Sequence, residues 1–326
     1  MLRVLLSVLC VVVSSCTTGS PIDLFVWVEW PSITSVTDAA TFYDKLAAFV
    51  TKNCVDASVS RLVLRVLHPS FPSSSSLWWP PATSPLYTNL IQKIPSSVEL
   101  VVYPYLMDQS SVSAWQAFSP GSNPVEAVWD FMTQWNAFLT LQGHRGFVGT
   151  AIDMEEASGL KSLTGTVIDA SLVSSLKAKY GLLEFGVTAG FDSLGGVAGF
   201  DRVYLEMYDF YTPVVSADKL STSPFLLNKD NPSAMVDFIL NQVLTTELSG
   251  YDTHANEIFA MWSNQDLGSA CIAPDNGRCG LNNEFGSWSG SSFNQFITLL
   301  KQRSPVMAKL RHGVFQFSYT PTAWLQ

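Results

Sequence analysis

The 326-residue chain is 47% hydrophobic and only 14% charged, with ten Trp residues and a formal net charge of −9. This composition supports a large core, in either one large domain or two smaller ones. The acidic balance argues against a nucleic-acid partner, which needs a basic face to neutralise phosphates, and against an anionic membrane surface.

The first segment, residues 1–19, has the pattern of a signal peptide: Arg3 gives a positive start, and an apolar run and small residues follow. The run is shorter than the about 20 apolar residues that span a bilayer, and no later segment reaches that length, so we expect no membrane span. A second interpretation stays open, because VSSC at 13–16 resembles a bacterial lipoprotein cleavage site with Cys16 as the lipidated terminus. Both interpretations predict export, to a secreted or to a lipid-anchored form.

From residue 20 onward, short apolar runs alternate with longer amphipathic stretches. The runs predict strands at 24–30, 61–67, 99–106, 147–155, 184–189, 202–208, 258–262 and 313–319. The stretches predict helices at 38–51, 87–93, 124–141, 170–180, 233–248 and 291–303. Compact apolar strands that alternate with helices are typical of a parallel sheet buried on both faces. We therefore predict an α/β protein in which residues 20–326 form a single (β/α)8 TIM-type barrel.

Two predicted loops are long and unusual in composition. Residues 69–85 are rich in Ser and Pro and contain Trp78 and Trp79, and residues 264–290 are rich in Gly. In the second loop Cys271 and Cys279 bracket a short turn, which predicts a local disulfide in an oxidising compartment. Loops that follow the strands of such a barrel form its ligand-binding face. Long aromatic loops there suit an extended polymer, although simple covering of the barrel mouth explains them equally well.

The fourth predicted strand leads into two carboxylates. In the run FVGTAIDMEE at 147–156, strand alternation would point Asp153 and Glu155 to the same side, about 7 Å apart along the backbone. At that separation each group influences the ionisation of the other, and one is pushed towards the protonated form that a general acid needs. The alternative is a solvated loop in which Asp153 caps the next helix.

This run resembles the signature of the family 18 glycoside hydrolases, the chitinases and endo-N-acetylglucosaminidases, which reads Asp-Gly-x-Asp-x-Asp-x-Glu on the fourth strand. Gly149, Asp153 and Glu155 match it. The run YLEMYDF at 204–210 resembles the Met-x-Tyr-Asp segment of the family's sixth strand, with Glu206 in place of Met. The two motifs stand in the order and at the spacing of the family.

The resemblance implies a mechanism and the residues that perform it. Glu155 would protonate the leaving oxygen, and Asp153 would orient the acetamido group of the substrate, whose carbonyl oxygen attacks its own anomeric carbon. Tyr208 would hydrogen-bond the acetamido group, and Asp209 would line the subsite. This substrate-assisted retaining mechanism needs no second carboxylate nucleophile, and we expect neither a metal nor a cofactor. The implied substrates are oligo- or polysaccharides with 2-acetamido sugars.

The chain also departs from the family pattern. Val148 and Ala151 stand where the signature has its first two aspartates, so that catalysis would be slower or would rely on Glu156 or Glu206.

The eighth strand lacks the Trp that floors the sugar subsite in the family. Phe317, Trp262 or Trp324 would take that place, and Trp30 at the end of the first strand also faces the expected site. Further side chains that strand ends direct towards it are Tyr103, Tyr105 and Asp192, for which a core or scaffold role is the default.

Three functions therefore remain open. The first is a secreted glycoside hydrolase with Glu155 as the general acid. The second is a chitinase-like lectin that has lost turnover, which Ala151 favours and the retained Glu155 disfavours. The third is a barrel glycosidase with a separate nucleophile, but its candidate, Glu257, lies at the start of the seventh strand and so at the wrong end of a barrel.

Overall fold

The structure is a computed structural model that describes residues 23–28, 35–52, 58–67, 77–181, 183–189, 199–206, 231–238, 240–241, 257–263 and 290–316. Within these ranges no helix combines the length and the apolar character that crossing a bilayer requires. The predicted signal peptide and the predicted disulfide between Cys271 and Cys279 lie outside the described residues and stay predictions.

Eight parallel strands form a closed barrel in which each strand pairs with the next and the last pairs with the first. They are β1 (Asp23–Val28), β2 (Ser58–Val66), β3 (Glu99–Pro104), β4 (Phe147–Ile152), β5 (Glu184–Ala189), β6 (Arg202–Glu206), β7 (Glu257–Ser263) and β8 (Arg311–Gln316). The predicted (β/α)8 barrel is confirmed. All eight strands lie where the apolar runs predict them, with ends that differ by a few residues.

Helices lie between the strands. In the described part of the chain they are α1 (Val36–Lys52), a 3-10 turn (Pro81–Thr83), a π-helical turn (Leu86–Ile91), α2 (Gln109–Phe118), α3 (Pro124–Leu141), α4 (Met154–Thr164), α5 (Ala170–Tyr180), α6 (Pro232–Phe238), α7 (Gly290–Arg303) and α8 (Pro305–Lys309). The predicted start of α3 at Pro124 is confirmed. Asn123 caps this helix by accepting a hydrogen bond from the Glu126 N–H at 2.9 Å. Pro124 suits the first position of the helix, because an N–H group there would have no partner within the helix.

The core has two parts because successive strand residues point to opposite faces. Strand residues facing outward, such as Trp262, pack against helix residues, such as Trp129 and Trp135 of α3, and all three rings are fully buried. Residues facing inward fill the barrel, where Trp27 contacts Tyr103 at 4.7 Å between ring centroids and Tyr204 stacks on Phe259 at 5.0 Å. Much of the aromatic content therefore stabilises the fold.

The N-terminal end of the barrel is closed by charged side chains. Arg61 is 1% exposed and donates hydrogen bonds to Glu99 at 2.6 Å, Glu184 at 2.8 Å and the Tyr204 hydroxyl at 3.0 Å. Arg202 and Arg311 pair with the same two carboxylates. We call these six residues the Arg61 network. Four members are the first residues of β3, β5, β6 and β8, and the other two lie near the start of β2 and β6. The network therefore occupies the N-terminal end of the barrel, opposite the end at which ligands bind in this fold.

Candidate active site

Strand β4 ends at Ile152, and the chain turns directly into helix α4. Asp153 is the N-cap of this helix, and its side chain accepts a hydrogen bond from the Glu155 N–H at 2.8 Å. The prediction that the strand continues to Glu155 was wrong, and the helix-cap alternative is correct. An Asp followed by acidic residues fits a helix start, because carboxylates satisfy the free N–H groups there and interact favourably with the helix dipole.

Asp153 nevertheless lies at the C-terminal end of the barrel, the end at which ligands bind in this fold. It follows Ala151, whose side chain belongs to the inner core together with Tyr103. Burial raises the pKa of the Asp153 carboxyl, against the opposing effects of the Glu155 N–H, of Arg65 and of the hydroxyls of Thr188 and Tyr103. Asp153 is thus a half-buried carboxyl at the mouth of the barrel.

Glu155 has different surroundings. It lies in the first turn of α4, and its side chain is exposed. The two carboxylates of the motif therefore remain close along the chain, but Asp153 is half-buried at the barrel mouth and Glu155 is open to solvent.

A third carboxylate, Glu156, is 2% exposed. Its Oε1 accepts a hydrogen bond from Arg65 Nη2 at 3.1 Å, and its Oε2 accepts one from the Leu106 N–H at 2.6 Å. Arg65 also donates from Nη1 to the Tyr103 hydroxyl at 2.9 Å, and its guanidinium lies 4.6 Å from the Tyr103 ring centroid and 4.8 Å from that of Tyr105. Arg65 and Glu156 thus form a buried ion pair directly beside Asp153.

Sequence reasoning mentioned Glu156 only as a substitute and missed Arg65. A signal for Arg65 was present in the strand run RLVLRV at 61–66, where two Arg residues interrupt an apolar segment at positions that share one face. A charge on the inner face of a buried strand needs a partner, and for Arg65 this partner is Glu156 in the first turn of α4.

Gly149, the third residue that matches the family signature, has a packing role. A Cβ at this position would lie 2.1 Å from the backbone oxygen of Glu184 on the neighbouring strand, closer than any real contact. The structure therefore explains this Gly by the close approach of β4 and β5.

Trp262 is not available to a sugar. It is 0% exposed and lies on the outer face of β7, where its ring contacts Phe296 of α7 at 5.1 Å and its Nε1 donates to His312 Nδ1 at 3.2 Å. The expectation that Trp262 floors a subsite was wrong, because alternation along β7 turns Phe259 and Met261 inward and Trp262 outward.

The remaining predicted positions divide into two groups. Glu257 is the first residue of β7 and so lies at the N-terminal end of the barrel, as predicted, away from Asp153. The predicted site residues that lie outside the described residues are Trp30, Asp192, Tyr208, Asp209, Phe317 and Trp324, together with Cys16. Within the described ranges no group of three or more His, Cys, Asp or Glu side chains is arranged to hold a metal ion.

The fold and the site define a class: a closed (β/α)8 barrel with a half-buried carboxyl at the C-terminal end of its fourth strand and an exposed one two residues later. No family model matches the chain, and no curated protein matches it. Among solved structures it resembles a family GH18 chitinase from Cycas revoluta in complex with allosamidin, at 12% identity and a TM-score of 0.40, over 91% of this chain and 95% of that one.

Two other chitinases show the same level of similarity. The active domain 2 of a thermostable chitinase from Pyrococcus furiosus, complexed with chito-oligosaccharides, is 13% identical with a TM-score of 0.41, over 91% of this chain and 84% of that one. The class V chitinase from Nicotiana tobaccum is 12% identical with a TM-score of 0.37, over 90% and 93%. Similarity this low does not establish membership of a family, so the function is argued from the residues of this chain.

Proposed function

We propose that the protein is an exported glycoside hydrolase that cleaves oligo- or polysaccharides containing N-acetylglucosamine, with Glu155 as the general acid. The observation that carries the proposal is the pair at the start of α4, in which a half-buried Asp153 caps the helix turn that presents an exposed Glu155. The match of Gly149, Asp153 and Glu155 to the family 18 signature supports the choice of substrate.

The surroundings of Asp153 suit the orientation of an acetamido group. The carboxyl accepts a hydrogen bond from the Glu155 N–H at 2.8 Å, which restricts its rotation. An oriented carboxyl can accept a hydrogen bond from an acetamido N–H and turn the acetamido oxygen towards the anomeric carbon. Burial, which raises the pKa of Asp153, favours such a bond over contact with water.

Glu155 would deliver the proton. Its exposed position lets the leaving sugar of a polymer come within reach of proton transfer. The proposal further assigns Tyr208 to the acetamido group and Asp209 to the same subsite, Trp30 and Phe317 to the sugar faces, and residues 1–19 to export.

A second candidate is a chitinase-like lectin that binds the same sugars without turnover. The observation that favours it is Ala151, which is 0% exposed and packs among the aromatic residues inside the barrel where the family signature has a carboxylate. In the lectin Asp153 would still orient the acetamido group, while Glu155 would serve only as a contact.

An aryl glycoside of chitobiose distinguishes the two candidates. The hydrolase releases the chromophore, and Glu155→Gln abolishes release while binding of chitin oligomers, measured by calorimetry, is retained. The matched control is Asp44→Asn on α1, which makes the same carboxyl-to-amide change at an exposed residue paired with Lys93. This variant should leave release unchanged. Binding without release by the wild type would favour the lectin, and the absence of both would refute both candidates.

A further inference from the structure

A threonine hydroxyl from the neighbouring strand contacts the turn that carries both carboxyls of the proposed site. Thr188 is the penultimate residue of β5, at the C-terminal end of the barrel, and it is 1% exposed. Its Oγ1 accepts a hydrogen bond from the Met154 N–H at 3.2 Å. Met154 is the first residue of α4 and stands between Asp153 and Glu155 in the chain. Thr188 therefore binds the backbone between the two carboxyl residues.

The Thr188 hydroxyl points to this turn because of the alternation along β5. Phe185 and Val187 belong to the outer part of the core, so Thr188 faces inward. A buried hydroxyl costs free energy unless it is hydrogen-bonded, and the Met154 N–H provides such a bond. For filling the barrel interior alone, a valine of nearly the same shape would serve as well. The hydroxyl at this position is therefore explained by the start of α4.

The start of α4 needs acceptors from outside the helical ladder, because the first N–H groups of a helix have no partner within it. Asp153 accepts from the Glu155 N–H at 2.8 Å, and Thr188 accepts from the Met154 N–H. The bond to Asp153 lies within the turn, whereas the bond to Thr188 joins the turn to a strand of the barrel. Of these two bonds, the second sets where the turn lies relative to β5.

The Met154 N–H belongs to the planar peptide unit that links Asp153 to Met154, so a rotation of this unit changes the direction in which the chain leaves β4. On the side of β3, Glu156 accepts a hydrogen bond from the Leu106 N–H at 2.6 Å. Strands β3 and β5 flank β4, so the first turn of α4 is attached on both sides. Loss of the Thr188 bond alone should therefore shift the turn without unfolding the helix.

We propose that Thr188 is a positioning residue for the general acid: through the Met154 N–H it fixes the direction in which the first turn of α4 presents Glu155. The contact itself is independent of function, whereas its catalytic consequence rests on the proposed hydrolase activity. Thr188 does not touch the substrate in this proposal. Proton transfer requires the acid within hydrogen-bond reach of the leaving oxygen, so a small displacement of the turn lowers kcat more than it weakens substrate binding.

Three variants separate this role from the general loss of a buried hydroxyl. Thr188→Val removes the acceptor and keeps nearly the same shape, and Thr188→Ser keeps the hydroxyl and should behave as the wild type. Thr150→Val is the matched control, because Thr150 is also 1% exposed and lies on the adjacent strand β4. Its hydroxyl donates to the Val102 carbonyl oxygen of β3 at 2.9 Å instead of accepting from α4.

Amide hydrogen exchange at Met154, followed by NMR, measures the contact directly. The chain has eight Met residues, so labelling with nitrogen-15 methionine gives few signals, and that of Met154 is assigned through its loss in Met154→Leu. In Thr188→Val the Met154 N–H should exchange about 3- to 10-fold faster than in the wild type, because its hydrogen bond is lost. Thr188→Ser and Thr150→Val should retain the wild-type rate. Unchanged exchange in Thr188→Val, or an equal acceleration in Thr150→Val, would overturn the proposal.

Kinetics on the aryl glycoside test the catalytic consequence. Thr188→Val should lose about 10- to 100-fold in kcat with little change in KM, whereas Thr188→Ser and Thr150→Val should keep the wild-type kcat. If the wild type shows no turnover, the hydrolase proposal fails and the catalytic role of Thr188 falls with it, while the exchange rates still decide whether Thr188 holds the turn. If the wild type is active and Thr188→Val retains full kcat, the positioning role alone is overturned.

Discussion

The Asp153 carboxyl accepts a hydrogen bond from the Glu155 N–H at 2.8 Å, so the half-buried carboxyl of the site caps the helix that carries the exposed one. One side chain thereby serves two purposes, because a change at Asp153 alters both the charge in the barrel mouth and the start of α4. Substitutions that keep the cap but remove the charge can separate these purposes.

Asp153→Asn should keep the cap, because Asn and Asp cap helices about equally well, whereas Asp153→Ala should cost about 1 kcal/mol of unfolding free energy. The pKa of Asp153 is raised in the folded protein, mainly by burial. Its contribution to stability is therefore greatest at acid pH and declines as the pH rises. Relative to the wild type, the Asn variant should gain stability between pH 3 and pH 7, as measured by urea denaturation.

Asp169→Asn is the control for this prediction. Asp169 caps α5 by accepting from the N–H groups of Ser171 and Leu172, and it is exposed. The same pH-dependent gain in this variant would show that the effect does not come from burial of Asp153.

Arg61→Met should be strongly destabilising. It removes the buried guanidinium that Glu99 and Glu184 share and leaves these carboxylates only their pairs with less buried Arg residues, and the loss of one partner from a buried ion pair costs about 3–5 kcal/mol. Lys93→Met breaks the exposed pair with Asp44 and should cost less than about 1 kcal/mol. Chemical denaturation compares the two variants, and equal losses would contradict a structural role for the Arg61 network.

His312 should make the protein sensitive to mild acid. Burial lowers the pKa of its imidazole to about 3, while the unfolded chain keeps the ordinary value of 6.5. Between these values the unfolded state binds a proton that the folded state does not, so stability falls as the pH decreases. The loss from this group should be about 2 kcal/mol between pH 7 and pH 5.

The variant that checks this is His312→Phe, which has no titrating group at the position. Its unfolding free energy should depend less on pH over the same interval, even if its stability at pH 7 is lower through loss of the Trp262 hydrogen bond. An equally steep decline in the variant would assign the acid sensitivity to other groups.

Gly149→Ala should destabilise the barrel by about 1–3 kcal/mol, because the new methyl group meets the Glu184 backbone at 2.1 Å and the strands must separate. Gly159→Ala offers a contrast within α4. Its nearest neighbour would be the flexible Met107 Sδ at 3.3 Å, and Ala favours a helix, so stability should be unchanged or higher by up to about 1 kcal/mol. Thermal unfolding distinguishes the two, and a neutral Gly149→Ala would argue that Gly149 has another purpose.

The eight strands were predictable because each is a compact apolar run that is buried on both faces. The end of β4 was not, since the order Ala151, Asp153, Glu155 imitates the alternation of a strand while the Asp actually starts a helix. Helix α4 was missed for a related reason. Of its side chains only Glu156 and Leu160 are buried, so its sequence carries little of the periodic apolar pattern by which helices are recognised.

The site was predictable only in part. Asp153 could be placed at the end of a barrel strand from the motif alone. Its neighbours depend on strand register, which sets Arg65 beside Tyr103 and Arg61 beside Glu99, and no local pattern specifies that register. The same limit applies to Trp262, whose inward or outward direction changes with a shift of a single residue.

The Arg61 network also bears on the order in which the protein is made. Arg61 meets Glu99 after 38 further residues, but Glu184 only after 123 and Tyr204 only after 143. The last member, Arg311, binds Ser60 across a separation of 251 residues. A chain emerging from the ribosome therefore carries Arg61 with an incomplete set of partners until Tyr204 has been made. This end of the barrel cannot close until β8 has been made, so the growing chain cannot complete the barrel early in its synthesis.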